Sequence, residues 1–207
     1  MKVKQINGIR KSVKVLVIGA GATGLGAGAW LKHNNVDFMV VEGSDSLPMN
    51  LHNGVHYLHS IPNLPFETDL KEITLTDGIL SGGEIYSSSN LRHSLNYSEK
   101  VREIQHPSSI MNVGKQTSVY MPKSNSLNST LKQCYDYAGE ENFVFGHWLK
   151  GLSAENKSAV FHETGKEEPI FVEYEHIITA VPLDKIKFMV RNEFIDSLKL
   201  ECSPVYI

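Results

Sequence analysis

The chain has 207 residues, 41% of them hydrophobic and 21% charged, with a formal net charge of −3. That length is enough for one sizeable core, and the scattered basic residues exclude the positive field that nucleic acid requires. Cys134 and Cys202 have neither zinc-ligand nor redox spacing, which points to a reduced, cytoplasmic setting.

The first predicted element is a hydrophobic strand from Val13 to Ile18. A glycine turn follows, Gly19-Ala20-Gly21-Ala22-Thr23-Gly24, and then a helix from about Ala22 to His33, stopped by Asn34-Asn35. A second strand, Val36 to Val41, ends at Glu42, with Gly43 beyond it. The uncharged run from Val15 to Leu31, preceded by Lys2, Lys4, Arg10 and Lys11, superficially resembles a signal peptide or membrane span. Its five glycines, and a length below the roughly 20 residues of a span, argue against both. No membrane partner is expected.

Each part of this βαβ unit has a job in holding the ADP half of a dinucleotide. Gly19 makes the tight turn, Gly21 lets the backbone approach the pyrophosphate, and Gly24 lets helix and strand pack closely. Ala22 and Thr23 then open a helix whose free N–H groups and partial positive charge suit phosphates. Glu42 is placed to accept hydrogen bonds from the adenosine ribose, and its charge repels a 2′-phosphate. FAD or NAD is therefore favoured over NADP.

From Gly43 to about Phe66 the pattern is irregular, with Pro48, Pro62 and Pro65. A hairpin is predicted next, 72–76 against Ile79-Leu80, turned at Asp77-Gly78. Leu127 to Ala138 reads as a helix, capped by Ser/Asn candidates and stopped at Gly139; Cys134 on it is read as core packing. Strands are predicted over 143–152, 158–163 and 170–174, with a separate buried strand from His176 to Val181, halted by Pro182. A second strand–helix–strand repeat would mark a plain NAD dehydrogenase. A meander stands there instead and tips the cofactor towards FAD. The expected fold is α/β, a Rossmann-type FAD/NAD(P)-binding core with a β-meander. It forms one domain over 1–207, with approximately 50–140 as an inserted partial substrate region.

Gly19-x-Gly21-x-x-Gly24-x-x-x-Gly28 with Glu42 resembles the FAD-binding start of the amine oxidase and protoporphyrinogen oxidase superfamily. Within it, Gly54-Val55-His56-Tyr57-Leu58-His59-Ser60 resembles the histidine loop of UDP-galactopyranose mutase. Tyr120-Met121-Pro122-Lys123-Ser124-Asn125 is loosely similar to that family's tyrosine-proline-asparagine stretch. Phe145-x-His147-x-Leu149-x-x-Leu152 resembles the strand whose backbone touches the adenine, and 176–183 resembles the family's strand end ahead of Pro-Leu.

The resemblance implies bound FAD, held by Gly19, Gly21, Ala22, Thr23, Gly24, Glu42, Gly43, Leu149, Ala180 and Pro182. His56 and His59 would lie beside the flavin as catalytic residues. The substrate implied is a nucleotide sugar undergoing redox-neutral ring exchange; the amine oxidase branch implies hydride transfer instead. The flanking prolines and Gly54 make a regular helix around His52, His56 and His59 unfavourable, so no metal is expected. Leu47-Pro48-Met49-Asn50 stands where the superfamily often has Gly-Gly-Arg. Family members are also longer, so the sequence implies a reduced relative, a non-catalytic dinucleotide-binding module, or one half of a flavoprotein completed by a second polypeptide.

Overall fold

The structure, a computed structural model, describes residues 9–47, 57–58, 60–76, 78–81, 84–87, 116–124, 126–163, 165, 169–182 and 186. β1 (Ile9–Ile18) runs into α1 (Ala22–His33), which is followed by β2 (Phe38–Val41). β3 (Leu70–Thr76), β4 (Gly78–Ser81), β5 (Glu84–Ser87) and β6 (Gln116–Pro122) precede α2 (Leu127–Ala138). A 3-10 turn (Glu140–Asn142), β7 (Phe143–Val144), β8 (His147–Ser153), β9 (Ser158–Glu163) and β10 (Pro169–Thr179) complete the described elements.

Six strands form one sheet in the order β7-β2-β1-β10-β9-β8. The first four are mutually parallel, and β10, β9 and β8 are an antiparallel meander. From Val15 to Ile18, β1 is apolar on both faces because both are covered. Val15 and Val17, with Phe38 and Val40, meet Leu25 and Ala29 of α1 and Leu131, Cys134 and Ala138 of α2. Leu16, Ile18 and Val41 meet Ala159, Phe161 and Val172 of the meander. Two residues, Phe145 and Gly146, connect β7 to β8 although these stand at opposite ends of the sheet order. The sheet therefore curls, and the second core fills the inside of that curl.

Both helices occupy the predicted residues. α1 ends at Asn34, with Asn35 at φ +53°. The Ser126 side chain caps α2 by accepting from Asn128 N–H at 3.3 Å.

The strands depart from expectation in several places: β2 starts at Phe38 rather than Val36, and β5 and β6 are strands that the sequence pattern does not announce. The first strand is longer, from residue 9, because β10 pairs with it over its whole length. Glu72–Thr76 does not turn back on Ile79: β3 pairs with β6, with Ile73 opposite Val119, and β4 pairs with β5. Gly78 is itself the first residue of β4, so Asp77-Gly78 is not a two-residue loop between β3 and β4. The strand expected over 143–152 is broken where Gly146 adopts φ +71°. The two strands expected over 170–181 are one, β10. Its second half is not buried: His176 and Thr179 are exposed and Ile177 and Ile178 half-buried, since β9 accompanies only residues 169–173.

Cys134 is 3% exposed, and burial pushes its thiol up to about 11. At pH 8 only about one part in a thousand is thiolate, the reactive form. In a Cys202→Ser background, the native protein is expected to react with iodoacetamide at least ~100-fold more slowly than the urea-unfolded chain. Equal rates would show that this core opens freely.

Candidate functional site

The site is built where β1, β2 and β10 end together. Gly19 N–H donates to Val41 O at 2.8 Å, and Ala180 N–H donates to Ile18 O at 2.8 Å, so the glycine turn is clasped between the two neighbouring strands. Gly19 has φ +96°, which only glycine adopts without strain. A Cβ on it would meet Ala180 Cβ at 3.5 Å.

The next two glycines of the turn do opposite things. Gly24 is in contact: a Cβ there would stand 1.9 Å from Gly19 O. Gly21 faces open space, with nothing within 4 Å of its Cβ position. Gly21 is also the N-cap of α1, has no side chain to cap it, and no acid follows in the first turn. The opening amides of α1, at Ala22, Thr23 and Gly24, thus have no intrahelical partner and carry the positive end of the helix dipole.

Glu42 sits at the end of β2 with both carboxylate oxygens engaged. Oε2 accepts from Ala20 N–H at 2.6 Å and Oε1 from Ser44 N–H at 2.9 Å. The carboxylate bridges the glycine turn to the loop after β2. A carboxylate offers about four lone-pair sites, so two amides leave capacity for two hydroxyl donors. The loop itself is pinned to the start of the meander: Glu42 N–H donates to Val144 O, Gly146 N–H to Ser44 O, and His147 N–H to Glu42 O.

A cavity of about 380 Å³ opens against this carboxylate, a size within the range of small-molecule sites. Gly19, Glu42, Gly43 and Leu149 line it, as do His147, Trp148, Val181 and Ile186. Four of the residues expected from sequence therefore meet around one space. Ala180 and Pro182 flank Val181 beside it, and Ala22 and Thr23 sit at the helix start. His52, His56 and His59 lie outside the described residues. His147 and Trp148 were not among the expected site residues. The alternation of β8, with His147 and Leu149 half-buried and Trp148 and Lys150 exposed, carries no hint that this strand returns to Glu42.

Strand β8 presents more than side chains. His147 N–H points at Glu42 O, away from β9. Leu149, two residues on, lines the cavity just ahead of an irregularity in the β8–β9 register between Leu149 and Gly151. The imidazole of His147 is nearly buried. Its Nδ1 contacts Phe145 O, and its Nε2 is buried without a hydrogen bond, 3.7 Å from Glu163 Oε2.

No protein-family model and no curated protein matches the sequence. The backbone does match solved structures. A reduced UDP-galactopyranose mutase superposes with a TM-score of 0.57 at 14% identity, over 87% of this chain and 58% of the mutase. The glycerol-3-phosphate dehydrogenase of Bacillus halodurans, solved in complex with FAD, superposes with a TM-score of 0.52 at 15% identity, over 86% of this chain and 36% of its own.

The fold is Rossmann-type. It carries the meander expected from the order of elements, and it is shared with the mutase and the dehydrogenase. The chain spans a little over half of the mutase and about a third of the dehydrogenase. Among the described residues, no helix is long and apolar enough to cross a membrane.

Proposed function

We propose that the chain binds FAD through the ADP half and acts as a flavoprotein, on a nucleotide sugar or as a flavin-dependent oxidoreductase. The observation that carries the dinucleotide reading is Glu42, whose bridging carboxylate faces the cavity one step from an uncapped, acid-free helix start. The pyrophosphate lies over Gly21 and the amides of Ala22 and Thr23. The adenosine ribose donates to the free lone pairs of Glu42. The adenine continues into the cavity, where Leu149 N–H and C=O meet its hydrogen-bonding edge. Glu42 is the only carboxylate, and neither Lys nor Arg stands among the described lining residues, so a 2′-phosphate finds repulsion without a partner.

FAD is preferred to NAD because the meander takes the place of a further strand–helix unit, and because the dehydrogenase that shares this fold was solved with FAD. Bound flavin supplies electron transfer and, when reduced, a nucleophilic nitrogen. His56 and His59 are assigned to the flavin side from sequence alone. The segment approximately 50–140 is assigned to the substrate side. A second reading is a non-catalytic dinucleotide-binding module, or one half of a flavoprotein completed by another polypeptide.

The test is the absorption spectrum of freshly purified protein, with mass identification of any ligand released on denaturation. A flavin spectrum supports the first reading; colourless protein that binds ADP and takes up FAD only with a second chain supports the other. No binding of FAD, NAD or ADP sinks both.

Glu42→Gln supplies a further measurement. The amide has one acceptor for two N–H donors and aims its own donor at the other. Hydrogen bonds to a charged group contribute about 1.5–3 kcal/mol, so urea unfolding should show a loss of about 2 kcal/mol, with ADP affinity falling about tenfold. An unchanged midpoint would mean that the carboxylate bridge contributes nothing to holding the turn.

A further inference from the structure

Trp148 leaves 56% of its surface exposed on an edge strand. An indole half in water needs a reason, and two geometric facts supply one. First, part of the ring lies across the gap from β8 to the loop after β2. A Cβ on Gly43 would stand 2.9 Å from Trp148 Cδ2 and Cε3, so the ring covers the backbone one residue beyond Glu42. Second, the same ring lines the cavity together with Glu42 and Leu149. It forms a flat apolar wall beside the acid proposed to hold a ribose.

We infer that Trp148 is the stacking platform for the adenine ring, and that residue 43 is glycine so that the indole can lie flat across it. The inference rests on the dinucleotide reading above. Side chains stand roughly perpendicular to a strand, whereas its N–H and C=O lie in the plane of the sheet. A purine joined edge-on to the backbone of Leu149 therefore presents its face, not its rim, to the neighbouring indole. Aromatic side chains stack on any base because every base has a π-face. The platform supplies affinity, while the backbone of Leu149 supplies the choice of adenine. The sequence pattern HWLKGLS gives the platform no signature, because Gly43 and Trp148 are brought together only by the curl of the sheet.

The experiment uses the whole chain and ADP as probe, which adds no flavin fluorescence. The sequence holds two tryptophans, so a Trp30→Phe background leaves Trp148 as the sole indole. ADP is expected to quench its emission. In calorimetric titration, Trp148→Ala should bind ADP about tenfold more weakly, while Trp148→Phe should stay within about threefold of the parent. Gly43→Ala, which keeps the indole but lifts it, should also weaken ADP. Binding of inorganic pyrophosphate should not change in Trp148→Ala. If Trp148→Ala binds ADP as the parent does and emission is unmoved, the platform is wrong and the dinucleotide reading stands. If the parent itself binds no ADP, both fall.

Discussion

Gly24→Ala should destabilise the protein by about 3 kcal/mol, although it adds one of the best helix-forming residues to α1. In an open helix position that exchange gains about 1 kcal/mol. Here the added methyl would stand 1.9 Å from Gly19 O and 3.0 Å from Gly19 C, atoms of the main chain that no rotamer change moves. Gly19 is itself held on the far side by the hydrogen bond to Val41 O and by Ala180 packed against it. Relief requires lifting α1 off β1, which would open the contact of Leu25 and Ala29 with Val15 and Val17. Overpacking a tight core costs typically 1–3 kcal/mol and sometimes more, and rigid backbone places this site at the upper end. For a chain of this size the loss corresponds to a fall in Tm of roughly 6–12 °C. Gly26→Ala is the control. It lies in the same helix, with nothing within 4 Å of its Cβ position, and should gain about 0.5–1 kcal/mol. If both variants move together, helix propensity rather than the Gly19 contact governs this turn.

What the sequence alone carries is local. The limits of α2 are written in Ser126 and Gly139, and the stop of α1 in Asn34-Asn35, because a cap involves only residues a few positions apart. The alternating faces of Val15-Leu16-Val17-Ile18 follow from a strand covered on both sides. Strand pairing is different, since it depends on partners far along the chain. Leu70–Thr76 and Gln116–Pro122 are separated by some forty residues, and the alternation of β3 says that it is a strand without naming its mate. The break at Gly146 was hidden for a related reason. An apolar run through 143–152 reads as one strand until a single positive φ redirects it to the other end of the sheet.

The site divides along the same line. Gly19, Gly21, Gly24 and Glu42 lie within one βαβ unit, so their spacing alone brings them to one place. Leu149, Ala180 and Pro182 are reachable only through resemblance; Leu149 lines the cavity, and Ala180 and Pro182 flank Val181 of its wall. Trp148 and His147 come to Glu42 from about a hundred residues away, through hydrogen bonds between two loops. No spacing rule encodes that meeting.

Gly21→Asp should leave the fold intact and abolish nucleotide binding, the reverse of Gly24→Ala. Gly21 is extended, at φ −69° and ψ −176°, a conformation open to any residue, and its Cβ position faces empty space. It is also the N-cap of α1, where aspartate is among the best residues. Asp accepts from the N2 or N3 amide and exceeds glycine there by a few tenths of a kcal/mol. Those amides belong to Thr23 and Gly24, and the proposed pyrophosphate needs the first of them. The substitution fills the phosphate's space, takes its donors and sets a negative charge against it. Two unit charges 4 Å apart in partly screened surroundings repel by about 4 kcal/mol, about a thousandfold in affinity. Allowing for solvent, ADP should bind at least ~100-fold more weakly, with the urea midpoint unchanged or slightly raised. Gly21→Asn keeps the cap and the bulk without the charge, and should fall between the parent and Gly21→Asp. If Gly21→Asp binds ADP within threefold of the parent, phosphates do not sit over this turn, and the glycines serve only the packing of α1 on β1.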